Sequence, residues 1–357
     1  MKHILKIQFL SWGVLLVGLA TVLSGCMSLG GPRVRIEVSP TTGVVPLTVQ
    51  FDGTGSTGPG GITTYHWLFG TGDGRYEANG TYTYEHAGTF TLSLTVRAED
   101  GSTATKTMTI QVDPAVWITD TNLARIYKLD MQGNVLLAAF DVPVSEPRGI
   151  TIAEVDGRPW LFVACAGEGN PRILRMDLTD GDLDRDYSAP AHSPRSLTSS
   201  TDAPKRLWHV DSTSHRIYGL DPNTGQTIES FGSNYFSTSP QVNNAPFLWT
   251  PQGLDWTPES GTAGYLWYLE GENRLLYKIR IIPSYDIQAG TQLQVVGNPI
   301  QIPVFSASAI DIYDGFLWVV DVDNHEIVQV DLETGTLTGT KITGFPGASP
   351  AGLEIQH

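Results

Sequence analysis

The sequence predicts an all-β protein, with a small β-sandwich over residues 33–113 followed by a β-propeller of five blades over residues 115–357. Three observations predict it. Short runs between residues 34 and 112 alternate apolar and polar positions. Residues 116–355 repeat one strand-rich unit. Long amphipathic runs of helical period are missing, while Gly, Pro and aromatic residues are frequent, as in chains of many short strands and tight turns.

The first 25 residues stand apart from this pattern. Lys2 and Lys6 form a basic start, Ile7 to Leu23 is almost wholly apolar, and Leu23-Ser24-Gly25 leads into Cys26. A charged start, an apolar middle and small residues before a cut describe a signal peptide outside the fold. The Leu-Ser-Gly-Cys ending resembles the lipobox of bacterial lipoproteins. That resemblance implies cleavage before Cys26, lipidation of Cys26, residues 26–32 as a short tether, and an extracytoplasmic, membrane-anchored protein. Met27 after the Cys fits sorting to an outer membrane in a diderm. Anchoring of this kind is stable once two or more acyl chains are buried.

With Lys2 and Lys6 removed, the formal charge of −15 becomes −17. This acidity and the absence of a basic run exclude nucleic acid as an expected partner. Cys165 is left without a partner in the chain and reads as a small buried apolar residue.

In the sandwich region, Val34–Val38, Leu47–Phe51, Thr89–Val96 and Thr105–Val112 each alternate, so one face of each run enters a core. Trp67 and Phe69 share that face. The segment Trp67-Leu-Phe-Gly-Thr-Gly-Asp-Gly74, with Tyr84 through Gly88, Phe90, Leu92, Leu94 and Val96, resembles the PKD domain, an immunoglobulin-like sandwich. Two extra residues precede Asp73 relative to that family's pattern. The resemblance implies a spacer or interaction module. His66 and His86 lie in this domain, and His66, alternating away from Trp67, reads as a solvated strand residue.

The repeat unit of the second domain opens on Val116-Trp-Ile-Thr-Asp120 and returns from Leu161, Leu207, Leu266 and Leu317, at spacings of 45, 46, 59 and 51. A second run follows each, as in Arg125–Asp130 and Arg216–Asp221. A third piece precedes each: Pro147-Arg-Gly-Ile150, Pro194-Arg-Ser-Leu197, Pro251-Gln-Gly-Leu254, Ala307-Ser-Ala-Ile310 and Pro350-Ala-Gly-Leu353. Strand-rich repeats of this length indicate propeller blades. The pattern resembles the NHL, gluconolactonase-like and streptogramin-lyase-like propellers. Because the domain begins mid-blade and ends on Pro350–Ile355, the last piece is expected to complete the first blade and close the ring. A six-bladed ring follows instead if the long gap between Asp211 and Glu270 holds a degenerate blade, although residues 232–250 read as a loop.

The first strand of each blade lines the axis, which places Arg148, Arg195, Gln252, Ser308 and Ala351 at one channel mouth. The two arginines, with Gln252 and Ser308, form a candidate ligand site for a carboxylate or phosphate. The recurrent acids Asp120, Asp211, Glu270 and Asp321 read as acceptors that tie down the following turn. The alternating acids Asp180, Asp182 and Asp184 are a weak candidate for a divalent cation, since the Gly and bidentate Glu of the EF-hand pattern are missing. The enzyme resemblances would imply a mouth metal and a His base, yet no His falls in the Pro-x-Gly-Leu strands. His209 lies in a blade strand, and His215 and His325 occupy matching turns. The leading expectation is a non-enzymatic surface lipoprotein that binds a glycan, peptide or protein. The alternative is an extracytoplasmic hydrolase or lyase of a carbohydrate, lactone or related substrate.

Overall fold

The computed structural model describes residues 30–137, 139–201, 205–232, 250–259, 262–282 and 292–357. The signal segment, Cys26 and the loop expected at 232–250 fall, wholly or nearly so, outside these residues. Among the described residues the chain is all-β apart from one three-residue turn of 3-10 helix, Gly167–Gly169.

The sandwich pairs a three-stranded sheet with a five-stranded one. The first runs Glu37–Ser39, Leu47–Asp52, Asn79–Tyr84. The second runs Thr42–Val44, Thr103–Asp113, Gly88–Ala98, Ile62–Leu68, Gly74–Arg75. Alternation places Trp67 and Phe69 in the core with no exposure. Phe51 packs on both, at ring-centroid distances of 4.9 and 5.3 Å, and Phe69 stacks on Tyr82 at 3.9 Å. The Trp67 indole N–H donates to the Glu77 carbonyl at 3.1 Å, so its burial leaves no polar atom unpaired. The extra residues before Asp73 are absorbed by Gly70 and Gly72, both at positive φ.

Five sheets follow, four of four strands and one, blade IV, with a short extra strand Ile300–Gln301 on its third strand. From the axis outward, blade I is Pro350–Gln356, Ala115–Asp120, Arg125–Leu129, Phe140–Asp141. Blade II is Pro147–Val155, Arg158–Cys165, Arg172–Met176, Leu183–Ser188. Blade III is Pro194–Ser199, Leu207–Asp211, Arg216–Leu220, Thr227–Gly232. Blade IV is Pro251–Glu259, Thr262–Glu270, Leu275–Ile282, Gln292–Val295. Blade V is Ala307–Tyr313, Phe316–Asp321, Glu326–Asp331, Leu337–Thr343. The carboxy-terminal strand is the innermost strand of blade I, as the order of the repeats predicts. The inner strands touch in sequence, and that of blade I returns to that of blade II. The ring is therefore closed by five blades. A sixth would have to stand between Pro194–Ser199 and Pro251–Glu259, which lie against each other.

The repeat survives in sequence because its side chains fill the seams. In each second strand one aromatic faces the next blade: Trp117, Phe162, Trp208, Trp267 and Trp318, none more than 8% exposed. At the III–IV seam, Trp208 and Phe231 pack with Leu254, Trp256 and Tyr268. The small third residue of the Pro-x-Gly-Leu piece has a steric cause. A Cβ on Gly149 would stand 2.5 Å from the Leu197 nitrogen, and one on Gly352 would strike the Arg148 carbonyl oxygen. Both obstacles are backbone and cannot swing away. Gly149→Ala is therefore expected to destabilise the propeller by about 1–3 kcal/mol or more, read as a lowered urea midpoint. Blade III meets the same need with Ser196, whose hydroxyl accepts from the Leu254 N–H at 3.0 Å in the neighbouring blade.

The inner strands all start at one mouth and finish at the other, where the sandwich sits. There Ala115, paired with Gln356, enters the sandwich core. The buried Lys128 ammonium donates to the Val45 carbonyl at 2.8 Å and lies 5.1 Å from the Trp117 ring. Burial pushes its pKa down to about 8. At the sandwich's other end, Arg33 bridges Thr57, and a Cβ on Gly58 would meet Pro32 and Ala98. The strands Gly88–Ala98 and Thr103–Asp113, each 11 residues, separate the two ends, or roughly 35 Å. The sandwich thus lies between Arg33 at one end and the propeller at the other.

Candidate functional site

The mouth opposite the sandwich carries the second residue of each inner strand. Arg148 and Arg195 are near neighbours there, close enough for the Arg148 charge to act on Arg195. Arg148 pairs with Glu146, Nη2 to Oε2 at 3.0 Å, but its Nη1 is buried and has no acceptor. Arg195 donates only from Nε, to the Ser212 hydroxyl at 3.3 Å, and makes no ion pair among the described residues. Burial, with Arg148 reinforcing it, lowers the Arg195 pKa. Two guanidinium groups therefore stand together in a partly desolvated place, and only Arg148 is ion-paired.

Gln252 and Ser308 belong to the same ring of positions but are engaged or set aside. The Ser308 hydroxyl donates to the Pro350 carbonyl at 3.0 Å. The Gln252 side chain lies against Gly271. The arginine half of the candidate site is the part that carries positive charge.

The recurrent acids act as the turn anchors expected of them. Asp120 accepts from the Leu123 N–H at 2.7 Å and from Ser349 at 3.1 Å. Asp211 accepts from Thr213, Ser214 and Ser193. Glu270 accepts from Glu272 and Asn273, and Asp321 from Asn324. The same turns place Ala124, His215, Arg274 and His325 at φ of 50–57°, so the two histidines are turn formers. His209 is fully buried in the wall of blade III, with Nδ1 3.4 Å from the Ser196 oxygen. Burial pushes its pKa down to about 4. Cys165 is also fully buried, its thiol pushed up to about 12 by burial first and the Asp186 charge second, which leaves no thiolate for catalysis.

Asp180, Asp182 and Asp184 do not form a ligand set, which corrects the weak metal expectation. Asp180 accepts from the Asp182 N–H at 3.0 Å within a turn. Asp184 lies on the outer strand of blade II and accepts from Arg175 Nε of the third strand at 2.6 Å. Among the described residues no group of three or more His, Cys, Asp or Glu side chains is placed to hold a metal ion.

The axis holds a second constellation that the sequence reading missed. The fifth residue of each inner strand is Thr151, Thr198, Asp255, Asp311 and Glu354. The three acids lie side by side in the waist, each bonded to the next blade. Asp255 accepts from the Ile312 N–H at 2.8 Å and the Thr198 hydroxyl at 3.1 Å. Asp311 accepts from the Ile355 N–H at 2.9 Å. Glu354 accepts from the Ile152 N–H and the Thr151 hydroxyl. Burial raises all three, with mutual repulsion adding at Asp255 and Glu354; Asp311 is pushed up to about 7. Extending the aligned Pro-x-Gly-Leu pieces by one residue would have found this ring. It stitches the blades together and fills the axis beneath the mouth.

With this geometry in hand, comparison with known proteins divides the chain. A family profile for the PKD domain matches residues 32–112, so this segment is a PKD domain. It is similar to the pre-pro-metalloprotease PrtV of Vibrio cholerae, 39% identical over 82 residues, covering 23% of this chain and 8% of that protein. Collagenase ColA of Bacillus cereus is 28% identical over 158 residues, covering 38% of this chain and 16% of the collagenase. The chain therefore spans less than a fifth of these relatives' length. Among solved structures, the first PKD domain of the Vibrio cholerae protease is 34% identical over 23% of this chain and 98% of its own, with a TM-score of 0.21. A catalytically inactive virginiamycin B lyase from Staphylococcus aureus is 14% identical, covers 91% of this chain and 96% of its own, and gives a TM-score of 0.37. No helix among the described residues is long and apolar enough to cross a membrane.

Proposed function

We propose that this is a non-enzymatic lipoprotein of an outer cell surface, whose propeller mouth captures an anionic group on an extracellular glycan, peptide or protein. The observation that carries the reading is the arginine pair: Arg195, with no ion pair among the described residues, stands beside Arg148, whose ion pair is to Glu146. A carboxylate or phosphate seated between them would supply bidentate, charge-assisted bonds. The position of the PKD domain between Arg33 and the propeller supports a spacer role for it. The lipobox at Cys26 supports the anchor.

Arg148→Ala with Arg195→Ala is expected to weaken binding of an anionic ligand by about 100-fold or more, because two charge-assisted bonds are worth about 1.5–3 kcal/mol each. Glycan and peptide arrays followed by titration calorimetry of the purified protein check this. Anionic ligands bound equally by wild type and double variant would remove the arginines from the account. Turnover of a bound ligand would overturn the non-enzymatic reading, and mass spectrometry of the intact protein tests the diacylglyceryl group on Cys26.

A further inference from the structure

Four of the five blades keep one turn between the second and third strands, and blade II departs from it. In blades I, III, IV and V the anchoring acid stands five residues before the start of the third strand or its equivalent: Asp120 to Arg125, Asp211 to Arg216, Glu270 to Leu275, Asp321 to Glu326. In blade II the acid is replaced by Cys165, and Arg172 follows seven residues later. The inserted tract Gly167-Glu168-Gly169 holds three successive residues at positive φ, of 43°, 32° and 86°. A non-glycine residue held in that conformation costs of order 1–3 kcal/mol and persists only where its surroundings impose it. Beside this loop lies a depression of about 410 Å³, largely open to solvent.

The loop beside this cavity contacts the chain segment that leads into Arg148. The Ala166 N–H donates to the Glu146 carbonyl at 3.0 Å, and the Gly167 N–H to that of Ser145 at 3.2 Å. The loop thus rests on the residue whose carboxylate pairs with Arg148. The lining is polar, with Ser145, Glu168, Asn170, Arg172 and Asp186 around it. Arg172 is neutralised by Asp186, Nε to Oδ1 at 2.6 Å. The exposed Asn170 side chain makes no hydrogen bond among the described residues, although its backbone N–H bonds Gly167.

We propose that the mouth takes an acidic carbohydrate, with the acid group of one sugar between Arg148 and Arg195 and an uncharged neighbouring sugar in the blade I–II cavity. This rests on the anion-binding reading of the mouth. The charge of the cavity argues for a neutral second unit: its one arginine is already paired, and Glu168 would repel another anion. Its chemistry argues for hydroxyl groups, which planar amide, guanidinium and carboxylate groups bind in adjacent pairs. A peptide would want a free strand edge or an apolar pocket. The closed ring offers no inner edge, and the apolar lining here is limited to Pro143, Val144 and Gly167.

The test is titration calorimetry of the purified protein with four probes: glucuronate, glucuronate linked to a neutral hexose, the corresponding neutral disaccharide, and an acidic tripeptide. The acidic disaccharide is expected to bind about tenfold more tightly than glucuronate, the worth of one or two added hydrogen bonds. Asn170→Ala should erase that ratio and leave glucuronate binding unchanged. Arg195→Ala should weaken both acids about tenfold or more. A ratio near one, or a ratio untouched by Asn170→Ala while Arg195→Ala still weakens both, overturns the two-sugar site and leaves the anion-binding mouth standing. Tighter, Arg195-dependent binding of the tripeptide overturns the carbohydrate assignment alone. Binding of no probe, or binding indifferent to Arg195→Ala, overturns the inference together with the mouth.

Discussion

Deleting Pro350–His357 is expected to leave the propeller unable to fold cooperatively. These residues supply the whole inner strand of blade I, paired in register from Pro350 with Asp120 to Gln356 with Ala115. Without them the fully buried strand Ala115–Asp120 becomes an open edge. Leu353 and Ile355 leave the I–V seam, each worth about 2–5 kcal/mol on large-to-small evidence. Glu354 leaves the waist, and Asp311 loses its Ile355 donor. Set against a typical total stability of about 5–15 kcal/mol, the loss is decisive. Calorimetry of the truncated chain should keep at most the transition of the PKD domain. A propeller transition surviving within a few degrees of the full-length one would show that the ring is not closed by this strand.

The second large effect concerns pH. Asp255, Asp311 and Glu354 have folded pKa values raised by burial. Between the unfolded carboxylate value of about 4 and the folded values, the native waist holds protons that the unfolded chain has released. Folding stability therefore falls as pH rises through that window. For Asp311, pushed up to about 7, the loss is on the order of several kcal/mol by pH 7.5. His209 works in the opposite sense. Its lowered pKa means that stability is lost as pH falls below about 6.5 toward 4. Lys128, lowered to about 8, adds stability only as pH rises above that value. The difference between wild type and Asp311→Asn, read from melting temperatures between pH 5 and 7.5, isolates the waist. The variant should gain on the wild type progressively across that range. Parallel curves would mean that the carboxyl is not held protonated.

Much of this fold was legible in the residues because packing constrains them directly. A Trp or Phe in each second strand fills a seam, and Gly149 and Gly352 yield to neighbouring backbone, so the repeat must persist wherever a blade does. The closing strand was legible from the order of the same pieces. Six blades remained open on sequence because spacing across 211–270 does not say which inner strands touch; the contact of Pro194–Ser199 with Pro251–Glu259 decides it. The arginine position was legible once the first strand was assigned to the axis. Its chemistry was not, since the pairing of Arg148 with Glu146 depends on side-chain placement. The waist acids were missed for a different reason. Only three of five blades carry an acid at the fifth position, and two carry Thr, so the ring appears only when the blades are wrapped around one axis. The long turn of blade II was hidden by Cys165, which reads as an ordinary core residue in a linear view.

The claim on which the functional account turns is that an anion belongs between Arg148 and Arg195. Crystals grown without sulfate or phosphate and soaked in selenate would locate such a site by the anomalous signal of selenium. The account predicts a peak within hydrogen-bonding distance of the Arg195 guanidinium on the side facing Arg148, lost in Arg195→Ala. Selenate bound only elsewhere on the surface, with this mouth empty, would contradict it.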